Sequence, residues 1–239
     1  MIQLVCLLAL DLFLSHVYQG DMKLASYVTN TISHALLSMF SMGVYLSAPD
    51  MELDSKTTEL ELFCGEWLKW YFVVDLGRMF VGTIRFQDIF VAHHLVGIAL
   101  IVLIEHSGML HRYIPVICLF EISSVPLNVR YALLHSGEPK MSRQVIFSEV
   151  AFFLSFIVVR WGFGFNKAYA VLMELHEIED RNRLQTVVIY TTTIVLLLFL
   201  IMHVHWTFGI VKRVVKYIKK YKNMRKQYIP TNGQKCKTP

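Results

Sequence analysis

Apolar blocks alternate with short polar connections along the whole chain. The blocks cover residues 1–18, 24–48, 62–84, 89–106, 113–134, 145–172 and 185–210. A helix needs roughly 20 apolar residues to cross a bilayer, so six of the seven are of crossing length. The first is short and is interrupted by Asp11. It lacks the basic start and small-residue cleavage site of a signal peptide, and reads as a marginal N-terminal helix. The pattern predicts an all-α fold: a polytopic transmembrane helical bundle of six core helices plus that marginal helix. The expected segments are 1–23 for the N-terminal helix and its loop, 24–211 for the membrane domain and 212–239 for a polar tail.

Several blocks contain residues that lipid does not tolerate. The third holds Glu66, Lys69, Asp75 and Arg78. On a helix Glu66/Lys69 and Asp75/Arg78 are i,i+3 neighbours and Tyr71 is i,i+4 to Asp75, which lowers the penalty of keeping charge in a bilayer. The fourth carries His93 and His94 side by side in the run Phe90-Val91-Ala92-His93-His94-Leu95-Val96-Gly97-Ile98. Ionisable groups at membrane depth face a protein interior or a water cavity, and are functional candidates by default. The partners expected around the pair are Tyr71, Asp75, Glu121, Asn128, Arg130 and Arg160.

Each candidate has a functional and a bland reading. Adjacent helical residues point about 100° apart, so His93 and His94 do not chelate one metal together. One of them faces a cavity as base, nucleophile or lipid contact, or both only bond between helices. Asp75 reads as one half of an ion pair with Arg78, Arg130 or Arg160. Glu121 and Asn128 are seven apart and share a helix face. Pro126 between them removes a backbone donor and kinks the helix. Arg160 is a counter-ion or snorkels to the interface. Gly162 and Gly164 allow close packing or an irregular turn. His34 reads as an interhelical contact, and His203 and His205 as residues solvated near a helix end.

Composition sharpens this picture at two points. The chain is 55% hydrophobic, above the 45–50% or so of soluble domains, and no Pro/Gly/Ser-rich linker divides it. Its net charge of +5 is a terminal feature: from Lys212 onward there are ten Lys/Arg and no Asp/Glu, while the rest sums to −5. Nucleic acid is therefore not an expected partner. A basic run directly after an apolar block reads as a cytoplasmic juxtamembrane segment that meets anionic lipid. With the tail cytoplasmic, Lys23, Arg85, Lys140 and Arg143 fall inside, and Lys56, Arg112, Arg181 and Arg183 outside. Between the second and third blocks, residues 50–61 hold five Asp/Glu against Lys56. The four cysteines, Cys6, Cys64, Cys118 and Cys236, have no paired spacing. They suggest neither a disulfide framework nor a zinc site, and no metal or other cofactor is expected.

Four segments in order resemble the TLC family, the membrane domain shared by ceramide synthases and translocation-associated membrane proteins. They are Trp70-Tyr71-Phe72-Val73-Val74-Asp75-Leu76, then Ala92-His93-His94, then Phe120-Glu121-Ile122-Ser123-Ser124-Val125-Pro126-Leu127-Asn128-Val129-Arg130-Tyr131, and finally His203-Val204-His205-Trp206 before the basic tail. The resemblance spans roughly residues 24–225. It implies a membrane bundle with His93, His94, Asp75 and Glu121 as catalytic or lipid-binding residues, and Tyr71, Asn128, Arg130 and Arg160 as polar support. It implies an endoplasmic-reticulum protein whose partner is a membrane lipid or acyl-CoA. Ceramide synthases, however, carry a His-Asp-x-x-Asp segment where this chain has Phe120-Glu121-Ile122-Ser123-Ser124. The histidine and second acid are absent.

Three functions stay open at this point. The first is a role in membrane lipid homeostasis through binding or sensing a lipid or acyl chain in a polar-lined cavity. The second is an acyl-CoA-dependent N-acyltransferase of ceramide-synthase type. The third is a cargo or translocation accessory protein acting through its tail. The sequence does not specify an oligomeric state.

Overall fold

The computed structural model describes residues 2–47, 58–84, 88–107, 110–177 and 183–228, with side chains omitted at residue 184 and residues 220–228. Arg85, Arg181, Lys56 with the acidic connection at residues 50–57, and the tail end with Cys236 lie outside the described residues. The described residues are helical, without strands. In chain order the helices are α1 (Ile2–Val17), α2 (Met22–Ser47), α3 (Glu59–Phe80), α4 (Asp88–Ser107), α5 (Ile114–Leu119), α6 (Ser124–His135), α7 (Arg143–Ser155), α8 (Phe165–Glu177) and α9 (Arg183–Tyr228). A 3-10 turn at Phe120–Ser123 joins α5 to α6, and a π-helix at Phe156–Gly164 joins α7 to α8. The blocks at 113–134 and 145–172 are therefore single rods with one irregular stretch each. Two compact units result, Met1–Phe199 and Leu200–Pro239.

Local chemistry sets the helix ends. Asp21 precedes α2, and its Oδ1 accepts the backbone N–H groups of Lys23 and Leu24 at 3.1 and 3.0 Å, as an N-cap does. Thr58 and Glu61 form a reciprocal capping box at the start of α3. Gly137, at φ +88°, ends α6 with the Glu138 N–H donating to the Leu133 carbonyl, a left-handed termination that suits glycine. Pro126 has no N–H for the Ile122 carbonyl, and the chain just before it is wound as the 3-10 turn.

The outside of the bundle is apolar and much of its inside is polar. Phe147, Val158 and Tyr190 are 74%, 65% and 68% exposed, as lipid-facing residues are. Among the described residues, four helical stretches are long and apolar enough to cross a membrane: Asp88–Ser107, His111–His135, Arg143–Glu177 and Gln185–Lys219. α2 and α3, with 26 and 22 residues, have the length at 1.5 Å per residue but carry the polar groups of the interior. One face of α2 buries Ser26, Thr29, Asn30, Ser33, His34, Ser38 and Ser41, at the three- and four-residue spacing of a single helical stripe.

Apolar packing lies alongside this polar interior. Leu37, Leu68, Phe72, Ile101, Ile104, Ile114 and Leu175 belong to one buried cluster. Phe72 enters because residue 97 is glycine: a Cβ there would stand 2.5 Å from the Phe72 ring. Gly164 gives Phe120 the same freedom, with a Cβ 2.9 Å from that ring, whereas Gly162 faces no neighbouring side chain. Lys69 ties α3 to α4 through Glu105 at 2.6 Å and pairs with Glu66 on its own helix at 2.5 Å. In the second unit His203 is buried, its ring 5.9 Å from that of Trp206, and α9 continues past it, so the expected solvation applies to the exposed His205 alone.

Candidate functional site: a buried histidine–carboxylate cluster

α4 presents His93 and His94 to two different carboxylates, as their angular offset requires. His93 Nε2 lies 3.6 Å from Glu121 Oε1, and His94 Nε2 lies 3.5 Å from Asp75 Oδ2. All four residues are at most 6% exposed. Phe72, seated by Gly97, packs its ring against both imidazoles at 5.5 and 4.8 Å. Tyr71 packs between His34 and His94, with centroids at 4.4 and 6.4 Å.

Glu121 is the hub of one half. Its Oε1 also faces Arg160 Nη2 at 3.5 Å. Its Oε2 accepts from the Ser124 hydroxyl at 2.8 Å and meets His34 Nε2 at 3.2 Å. The 3-10 turn carries Glu121 and Ser123, and the π-helix carries Arg160, whose Nε donates to Ser123 Oγ at 2.9 Å. π-Helical stretches are uncommon and frequent at functional sites. This one holds Arg160 inward as a counter-ion, 6% exposed, and not as a snorkelling side chain.

Asp75 is the hub of the other half. Its Oδ1 accepts from Asn30 Nδ2 at 2.9 Å and lies 3.5 Å from Arg78 Nη1. Arg78 also donates to Asn30 Oδ1, and through Nε and Nη2 to Asp11 Oδ2. Asp11, the residue that interrupts the first apolar block, is thus the buried partner of Arg78, and α1 packs on α2 and α3.

Not every expected residue joins. Arg130 pairs with Glu149 on α7 at 2.5 Å, both partly buried, and makes no ion pair with Asp75. Asn128 is beside the cluster: its Nδ2 donates to the Ser124 carbonyl at 3.0 Å and lies 3.4 Å from His34 Nδ1. His34 makes the interhelical contact expected of it, but with Glu121 itself. His34, Asn30 and Asp11 were absent from the candidate set. The signal that could have found the first two is the polar stripe on α2.

His34 Nδ1 is 2.7 Å from the Asn30 carbonyl oxygen, which only accepts, so this nitrogen carries a hydrogen. Its Nε2 faces Glu121 Oε2 at 3.2 Å. Asp11, Asp75 and Glu121 share this interior with the guanidinium groups of Arg78 and Arg160, an arrangement that matters where an uncompensated charge costs several kcal/mol.

The cluster leaves polar atoms unused. Among the described residues His94 Nδ1, Asp11 Oδ1 and the hydroxyls of Ser26, Thr29 and Ser38 are buried without a hydrogen-bond partner. Each such atom is unfavourable by about 1–3 kcal/mol when nothing satisfies it. No group of three or more His, Cys, Asp or Glu among the described residues is placed to hold a metal ion.

Comparison with known proteins gives one result. The sequence profile of the TLC domain matches residues 23–212, which takes in α2 through α8, every residue of the cluster except Asp11, and most of the apolar part of α9. No curated protein and no solved structure matches the chain. With its apolar helices and this match over most of its length, the chain is a multi-pass integral membrane protein and belongs to the TLC domain family.

Proposed function

We propose that the protein acts in membrane lipid homeostasis by binding or sensing a lipid or acyl chain whose polar end engages the buried cluster. One observation carries this reading: the unsatisfied His94 Nδ1 within the cluster, together with the unsatisfied hydroxyls on the polar stripe of α2. A lipid ester, amide or hydroxyl supplies the missing donors and acceptors, and its chain lies among apolar side chains. His93, His94, Asp75 and Glu121 are the contacts, and Tyr71, Asn128 and Arg160 hold them in place. Arg130 acts at a distance, by fastening α6 to α7. The segment from Phe120 to Tyr131 resembles that of small family members such as TLC domain-containing protein 5. On this reading the protein resides in the endoplasmic reticulum with its C-terminus cytoplasmic, where the basic tail meets anionic lipid.

A second reading is favoured by the His93–Glu121–Arg160 arrangement, in which a carboxylate 3.6 Å from Nε2 can orient an imidazole as a general base. In an N-acyltransfer the imidazole takes the amine proton as nitrogen attacks the thioester carbon. The C–S bond then breaks and the coenzyme leaves as the thiol after receiving that proton. The missing His-Asp-x-x-Asp segment counts against it.

Lipid that co-purifies with the wild type, identified by mass spectrometry and lost in His93→Ala/His94→Ala, supports the first reading. His94-dependent turnover of acyl-CoA with an amine acceptor supports the second. Partners lost on deleting residues 212–239, with bound lipid unchanged, would shift the function to the tail.

A further inference from the structure

A polar pocket lies at the bundle end where α2 finishes and α3 begins, and none of its lining residues belongs to the histidine cluster. It encloses about 120 Å³ between α2, α3, α5 and α8, and is lined by Tyr45, Glu61, Arg112, Tyr113, Lys167 and Glu174 among others. Some of these charges are already paired. Arg112 binds Glu174, and the Tyr113 hydroxyl donates to the same Glu174 oxygen at 2.7 Å.

Two charges are left over, of opposite sign. Lys167 Nζ sits over the rings of Tyr45 and Phe163, 5.2 and 5.9 Å from their centroids. It has no carboxylate within ion-pair distance among the described residues. Glu61 is 2% exposed. Its Oε2 accepts the Thr58 N–H and hydroxyl at 2.8 and 3.0 Å, while its Oε1 takes no hydrogen bond among the described residues. Both side chains line the same small space without pairing with each other. Glu61 Oε1 opens on the pocket with no donor, and the half-buried Lys167 ammonium has no anion, so both are open to a partner that enters the pocket. A ligand carrying the complementary pair of charges engages both at once.

We propose that this pocket binds the headgroup of a zwitterionic phospholipid, with its phosphodiester on Lys167 and its ammonium on Glu61 Oε1. An ammonium that donates hydrogens suits a bare carboxylate oxygen better than a quaternary one does. The volume holds a headgroup and not acyl chains. The chains extend from it into the surrounding bilayer. This site is independent of the function proposed above.

The test is lipid retention by the full-length protein in detergent, read by native mass spectrometry. The probes are phosphatidylethanolamine, phosphatidylglycerol and diacylglycerol in equal amounts. The wild type is expected to keep phosphatidylethanolamine several-fold over the other two. Lys167→Met should abolish retention of both phospholipids, and Lys167→Arg should restore it. Glu61→Gln preserves the capping box, since glutamine also serves at that position, so it should fold. It should erase the advantage of phosphatidylethanolamine over phosphatidylglycerol. His93→Ala/His94→Ala should change neither. Equal retention of all three lipids, or a preference that survives both Lys167→Met and Glu61→Gln, overturns the proposal. So does soluble phosphoethanolamine displacing the lipid at comparable concentration, which would assign the pocket to a free solute.

Discussion

His34 Nε2 stands 3.2 Å from Glu121 Oε2, joining α2 to the turn between α5 and α6 inside the bundle. The contact fastens α2 to the Glu121 turn, and the two residues act as a unit. Glu121→Gln leaves Arg160 without its carboxylate and should destabilise the protein by about 3–5 kcal/mol. A double-mutant cycle of Glu121→Gln with His34→Gln, read by unfolding in detergent, should return a coupling of about 0.5–3 kcal/mol. Additive effects would show that the two residues act independently.

Asp11 gives the N-terminal helix a definite task. Asp11→Ala leaves the buried Arg78 guanidinium with Asn30 and a more distant Asp75, and should cost about 3–5 kcal/mol. Asp11→Leu with Arg78→Met removes both charges and should recover much of that loss. If Asp11→Ala melts with the wild type, the pair contributes nothing to stability.

Gly97 is where the apolar core meets the cluster. Gly97→Ala would place a Cβ 2.5 Å from the buried Phe72 ring, which must shift. Overpacking of this kind costs about 1–3 kcal/mol and should also disturb the imidazoles that Phe72 touches. The same substitution at Gly43, where a Cβ meets nothing within 4 Å, should not destabilise. Thermal melting of the two variants side by side checks the contrast.

Acid should loosen the α1–α2 corner. The backbone N–H of Leu24, aided by His135, holds the Asp21 carboxyl below its usual value of 3.8. A carboxylate depressed in the folded state contributes stability above its unfolded pKa, and that contribution is lost as pH falls through the lower folded value. Asp21→Asn keeps a good N-cap and should flatten this acid dependence. Asp21→Ala should cost about 1 kcal/mol through the lost cap. An unchanged acid limb in Asp21→Asn would remove Asp21 from the account.

The sequence showed which elements exist because hydropathy blocks and helix length obey the same bilayer constraint. Asp75, Glu121 and the His93–His94 pair were legible as charges that lipid excludes. His34 was harder to see. Read alone it is one polar residue on a helix, and only its recurrence with Ser26, Asn30, Ser33 and Ser41 marks an inward face. Asp11 looked like a defect in a short apolar block, because its partner lies 67 positions away. Arg130 and Arg160 look alike in sequence. What separates them is the π-helical winding at Phe156–Gly164, of which Gly162 and Gly164 give only a hint, and the acid each meets, Glu149 or Glu121.

The most direct test is the lipid composition of membranes containing equal amounts of wild-type protein or His93→Ala/His94→Ala, with folding verified by melting temperature. The account predicts that one lipid class, or one set of acyl chains, shifts with the wild type and returns to the level of protein-free membranes with the variant. Identical lipid profiles for wild type and variant would contradict it, and would leave the histidines and carboxylates as the fastening of a helical bundle.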